Sequence, residues 1–174
     1  MPQTALPDFA NHDKAMARLS RYSQRFILSP ECFKKGSTLP ALTWTTVKFT
    51  ATQINSVAAE PGLYAFSVVT SRIGLPPHGY VLYVGQTGAK KNSRTLRVRA
   101  GEYLKEEKTG KRRHVWEFLN KWSGHLNFHY VPVDPQTQDL EAIEKTLNDA
   151  LMPPYSINDF SAEIKAQKKA WQYT

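Results

Sequence analysis

Two short apolar runs, Gly62 to Val69 and Tyr80 to Gly85, constrain this chain more than any other feature. Both are rich in β-branched and aromatic residues, and each reads as a buried strand. The connection between them holds Gly74, Pro76, Pro77 and Gly79. It is too long for a two-residue hairpin turn and suits an antiparallel pair joined by an extended loop.

The flanking segments follow from periodicity. A helix is predicted after Asn92-Ser93, both good N-caps, with Leu96, Ala100, Tyr103 and Leu104 facing inward. It breaks near Thr109-Gly110, and a second helix carries Val115, Leu119 and Trp122 on one face. Leu126 to Val133 reads as a third strand. Leu140 to Met152 reads as a helix halted by Pro153-Pro154. A short helix is expected after Ser161. Upstream, residues 13–26 have the pattern of an amphipathic helix, with Met16, Leu19, Tyr22 and Phe26 on one side and Lys14, Arg18, Arg21 and Arg25 on another. Thr43 to Phe49 alternates like a strand. The order strand, strand, helix, helix, strand, helix suggests a small sheet covered by helices, not a doubly wound parallel sheet.

No apolar run approaches bilayer length, so no membrane partner is expected. The first residues lack the charged-then-apolar pattern of a signal peptide, and the single Cys32 has no internal disulfide partner. An intracellular, cytoplasmic protein is the expectation, with Cys32 as a buried small hydrophobe. The formal charge is +8, which favours polyanionic partners. Of the 23 Lys and Arg residues, 11 lie between Lys90 and Lys121, together with Trp116 and Trp122. Charge alone favours a pair of helices with solvated, charged outer faces over a binding surface.

Glu144 is the most informative polar position. It sits four residues after Leu140 and three before Leu147, on the stripe of Leu140, Ile143, Leu147 and Leu151. A carboxylate facing the core needs a positive partner. A metal ion or a buried arginine would each serve, and the helix does not choose between them. Arg99 and Tyr103 share a helix face at four-residue spacing. A guanidinium fork matches phosphate geometry and can steady the charge of a five-coordinate phosphorus. Tyr64 and Tyr83 lie on the first two strands, where two tyrosines usually serve packing. His125 and His129 are four residues apart on the third strand or its entry, roughly 13 Å and too far for one zinc.

Gly62-Leu63-Tyr64 followed by Tyr83-Val84-Gly85 resembles the signature of the GIY-YIG nuclease superfamily. Pro61 and Gln86-Thr87 resemble its common surroundings. Leu96-Arg97-Val98-Arg99 with Tyr103 is similar to the family's catalytic Arg with a His or Tyr one turn later. Glu144 through Leu147 to Pro153 and Tyr155 resembles its metal-binding Glu on a helix that ends in Pro-x-Tyr. The resemblance covers about residues 61–158.

It implies an α/β (α+β) fold with a three-stranded antiparallel sheet flanked by helices. Residues 1–58 would be an extension, 59–160 the nuclease domain and 161–174 a short C-terminal helix. It further implies hydrolysis of DNA phosphodiesters with one divalent metal, magnesium or another such as manganese, held by Glu144. In that scheme Tyr64 helps activate the attacking water, Tyr83 and Tyr103 orient it or the phosphate, and Arg99 stabilises the transition state. Arg97 competes with Arg99 for that place; Arg99 is preferred because Tyr103 then falls one turn later. Arg97, Lys111, Arg112, Arg113 and His114 are the candidate substrate-binding residues. The chain has Ser156 where the family often has Asn, so Asn158 joins them as its substitute. The alternatives are a non-catalytic nucleic-acid-binding module on the same fold, or a nuclease preferring single-stranded DNA or RNA. Intact Tyr64, Tyr83, Arg99 and Glu144 argue against loss of catalysis. Oligomeric state is left open.

Overall fold

A computed structural model describes residues 9–70, 78–89 and 94–172. In chain order the elements are α1 (Phe9–Ser20), α2 (Pro30–Phe33), β1 (Thr45–Lys48), β2 (Gly62–Thr70), β3 (His78–Thr87), α3 (Leu96–Thr109), α4 (Arg113–Lys121), β4 (Leu126–Pro132), α5 (Leu140–Leu151) and α6 (Ala162–Gln172). The fold is α+β. The connection with Gly74, Pro76 and Pro77 lies outside the described residues, as do Asn92 and Ser93. The N-cap of α3 within them is Thr95, whose side chain accepts from the Val98 N–H. At the far end Gly110 takes the left-handed conformation (φ 63°) and bonds back to Glu106, closing the helix where the break is expected.

The expected hairpin forms: β2 and β3 pair antiparallel, with Tyr64 opposite Gly85 and Phe66 opposite Tyr83. β4 pairs antiparallel with the other edge of β2. The three-stranded sheet expected from the resemblance is incomplete, however. β1 adds to the outer side of β4, with Thr46 opposite His129, giving an open four-stranded sheet in the order β1-β4-β2-β3. The residues before 59 therefore contribute a strand, and Phe49, Ile54 and Val57 join the main core. Local alternation marks this strand, but its partner lies about eighty residues downstream and only tertiary pairing reveals it.

The two faces of the sheet carry different helices. Tyr64 and Phe66 point into the larger core with Leu96, Ala100 and Tyr103 of α3 and Val115, Phe118 and Leu119 of α4. Leu63 and Val131 face the other way, onto Leu140 and Ile143 of α5. A bulge at Phe66/Ser67 leaves Leu82 as an extra residue of β3, so Leu82 and Tyr83 both join the larger core. A third cluster seats Cys32 beneath Met152, Phe160 and Ile164 of the C-terminal segment. The amphipathic helix expected over 13–26 ends earlier, at Ser20. Tyr22 and Phe26 instead pack against Trp122 (ring centroids 5.6 Å apart) and Tyr80 (5.1 Å), contacts that outweigh their helical spacing. Among the described residues no helix is long and apolar enough to cross a membrane.

Candidate active site

The two signature motifs meet because a glycine lets them. A Cβ at Gly85 would lie 2.4 Å from Cζ and Oη of Tyr64, so a side chain on β3 at that position would occupy the space of the Tyr64 ring. A Cβ at Gly62 would lie 2.1 Å from the Val131 carbonyl oxygen, so the close approach of β2 to β4 also needs glycine.

With its ring seated there, Tyr64 directs its hydroxyl toward α3. Its Oη lies 2.9 Å from that of Tyr103 and accepts from Nε of Arg99 at 3.0 Å. Arg99 in turn donates from Nη1 to Glu102 at 2.7 Å. The Tyr83 ring lies 6.3 Å from Tyr64 and 6.0 Å from Tyr103. Tyr64, Tyr83, Tyr103 and Arg99 therefore form one cluster, although they come from β2, β3 and α3.

Burial dominates the acid–base character of this cluster. It pushes the Tyr64 phenol well above its usual value, neighbouring phenols push further, and Arg99 pulls only partly back. Burial and Tyr103 push Tyr83 up in the same way. At neutral pH these are protonated hydrogen-bonding groups, not phenolates. Burial works against the Arg99 cation, but Tyr64, Tyr103 and Glu102 more than offset it.

Glu144, on α5, lines a neighbouring polar cavity of about 370 Å³ together with Gln86, Asn158 and Asp159. Burial raises its carboxyl from 4.5 to about 8; Asp159 adds to the rise, while the Gln86 backbone N–H and Arg99 oppose it. Asp159 also acts on Tyr83. The fields of Arg99 and Asp159 thus join the cavity to the tyrosine cluster. Among the described residues no Lys, Arg or His forms an ion pair with Glu144, although the Arg99 charge favours its anion and Lys145 and Lys165 line the same cavity.

The donor set suits a hard divalent cation. It offers the Glu144 carboxylate, the Glu141 and Asp159 carboxylates on the same lining, and the buried Gln86 side-chain oxygen, which has no hydrogen bond among the described residues; Lys145 and Lys165, also on the lining, oppose a cation. Among the described residues no group of three His, Cys, Asp or Glu side chains converges on one point. Magnesium, which keeps several waters, does not require such a cage.

The remaining candidates separate. Arg97, two residues from Arg99 and so on another side of α3, donates from Nε to the Val57 carbonyl at 2.8 Å. Its guanidinium anchors the segment before β2, and Arg99 is the one that meets the tyrosines. Arg112 places its Cζ 5.0 Å from the Tyr103 ring centre. Arg113 pairs with Glu117 on the surface, and Lys111 is exposed. Neither of these two nor His114 makes a hydrogen bond or ring contact with the tyrosines. Asn158 is exposed at the Glu144 cavity.

Sequence reasoning missed Asp159 and Glu106. Glu106 is three residues past Tyr103, so extending the Leu96–Ala100–Tyr103 stripe by one step would have flagged it. It also missed a polar chain on the sheet, where His129 meets Ser67 Oγ through Nε2 (2.5 Å) and Thr46 Oγ1 through Nδ1 (2.7 Å). Burial holds the His129 pKa below 6.5, so the ring is neutral and ties β1, β4 and β2 together. No protein-family model matches the chain, and no curated protein or solved structure matches it.

Proposed function

We propose that this protein is a metal-dependent DNA endonuclease of the GIY-YIG type. The observation that carries the reading is the hydrogen-bonded arrangement Tyr103–Tyr64–Arg99, set beside a carboxylate cavity that contains Glu144. Each of these residues has an ordinary structural role when taken singly. Their convergence from three elements on a buried arginine and a cation-seeking carboxylate is what a phosphodiester site requires.

Arg99 would meet the phosphate. Its Nε and Nη1 are occupied by Tyr64 and Glu102, which fix the guanidinium plane and leave the other terminal nitrogen for a phosphate oxygen. Charge that develops on the phosphorus oxygens is then met by a cation already oriented, with no reorganisation cost at the moment of reaction. Tyr64 and Tyr103 share one hydrogen bond, so either can reorient to hold the attacking water. The raised pKa of Tyr64 suits a protonated, orienting phenol, not a resident phenolate. Glu144 would hold the metal, with Asp159 and the Gln86 and Asn158 side chains around it. A bound magnesium or manganese ion supplies Lewis-acid stabilisation of the leaving oxygen.

Purified protein should nick supercoiled DNA in magnesium or manganese and stop when the metal is chelated. Failure to cut supercoiled, linear or single-stranded DNA with either ion would overturn the proposal.

A further inference from the structure

The turn between α3 and α4 carries a construction that the cleavage chemistry does not use. Glu106 is only 6% exposed, and its carboxylate accepts the Arg112 backbone N–H at 2.5 Å and Arg112 Nε at 3.4 Å. A carboxylate is buried at a cost unless it is paired, and this one is spent on fixing a single arginine. Arg112 is thereby held with its Cζ 5.0 Å from the Tyr103 ring centre, the same distance as Arg99. The two guanidiniums are therefore no more than 10.0 Å apart, the sum of those distances. That separation lets the two arginines meet phosphates of the same short stretch of one strand. Beyond its Nε, Arg112 makes no further side-chain hydrogen bond among the described residues.

Arg112 is the extended N-cap of α4, and Trp116, one turn on, donates its backbone N–H to the Arg112 carbonyl at 2.9 Å. It is 40% exposed, a large aromatic surface left to solvent. Its ring edge rests on Gly110, where a Cβ would lie 3.3 Å from its Cδ1, so the ring is seated over the turn. An aromatic plane beside a phosphate-binding arginine is the arrangement that takes a nucleobase by stacking. Bases in a duplex have their faces covered by their neighbours, so this plane is served only by an unstacked base.

We infer that Arg112 and Trp116 hold a nucleotide next to the scissile phosphate, its phosphate on Arg112 and its unpaired base on Trp116, with Glu106 as the positioning residue. The inference rests on the nuclease reading and narrows its substrate to DNA that carries an unpaired nucleotide at the cut.

Binding without divalent metal separates the two readings, because nothing is cleaved. The probes are a labelled duplex and the same duplex with a short unpaired bubble, titrated by fluorescence anisotropy at several salt concentrations. The wild type should prefer the bubble. Trp116→Ala should lose about tenfold on the bubble, the effect of one lost stack, and little on the duplex, while Trp116→Phe retains most of the preference. Arg112→Ala should weaken both and flatten the salt slope by about one. Glu106→Gln should shift in the same direction with an unchanged circular dichroism spectrum. A wild type without preference for the bubble, or a Trp116→Ala protein that keeps it, overturns the inference alone. Preference for the bubble without cleavage in magnesium removes the nuclease reading, and with it the scissile phosphate, and keeps only the unpaired-nucleotide site of Arg112 and Trp116. No DNA binding at all removes both.

Discussion

Replacing Glu144 with Gln tests the site through stability and activity together. The folded carboxyl titrates near 8 instead of 4.5. Each tenfold change in proton affinity corresponds to about 1.4 kcal/mol, so ionising Glu144 in the metal-free fold costs on the order of 5 kcal/mol. Partial solvent access at the cavity mouth reduces this to roughly 2–4 kcal/mol. The folded state holds the proton more tightly than the unfolded state. Wild-type stability is therefore fully present below about 4.5, falls as pH rises, and has lost the whole increment above about 8. Glutamine does not ionise. Urea unfolding without metal should find the two proteins similar near pH 4.5 and Glu144→Gln more stable by roughly 2–4 kcal/mol at pH 9. The same variant should bind DNA yet not cut it in magnesium, because an amide is a poor replacement for a carboxylate ligand. Magnesium uptake by the wild type should release a proton below pH 8 and tighten as pH approaches that value. A variant less stable than wild type at pH 9 would mean that the Glu144 charge is already compensated. A folded variant that cuts at the normal rate would refute the metal site.

Arg99→Ala should lose at least a hundredfold in turnover, of the order expected for one transition-state cation, and keep most DNA affinity; Arg97→Ala should remain near wild type in single-turnover cleavage. An inactive Arg97 variant beside an active Arg99 variant would reverse the assignment. Gly85→Ala sets a methyl group against the Tyr64 ring and should destabilise the fold by about 1–3 kcal/mol and abolish cleavage; denaturant midpoints equal to wild type would show that the ring can move. Lys168 donates to the Pro153 and Ser156 carbonyls at 3.3 and 3.2 Å, and burial lowers its pKa to about 8. The unfolded chain keeps that proton up to about 10.5, so wild-type stability should gain relative to Lys168→Met between pH 8 and 10.5. A flat difference across that range in paired urea titrations would contradict the burial of this amine.

Part of the site depends on local information, and that part was legible. Helix and strand positions follow from periodicity that each segment expresses by itself, which is why β2, β3, β4, α3 and α5 fall within a few residues of expectation. Placing Arg99 one turn before Tyr103 needs only the pitch of a helix. The inward carboxylate of Glu144 likewise follows from its spacing to Leu140 and Leu147.

Other features depend on residues far apart in the chain, and no local pattern encodes them. β1 reads as a strand from its alternation, yet its place in the sheet is decided by Phe128 and His129, which pair with Val47 and Thr46. Tyr64 looks like a packing residue until Tyr103 and Arg99, on another element, supply its hydrogen bonds. Which cations lie near Glu144 is likewise set by the fold, which brings the Arg99 charge and the Lys165 side chain to its cavity. Glu106, Asp159 and the Ser67–His129–Thr46 chain belong to the same class. Spacing from Tyr103 places Glu106 inward, but what each of these residues meets is set by how helices and loops pack on the sheet.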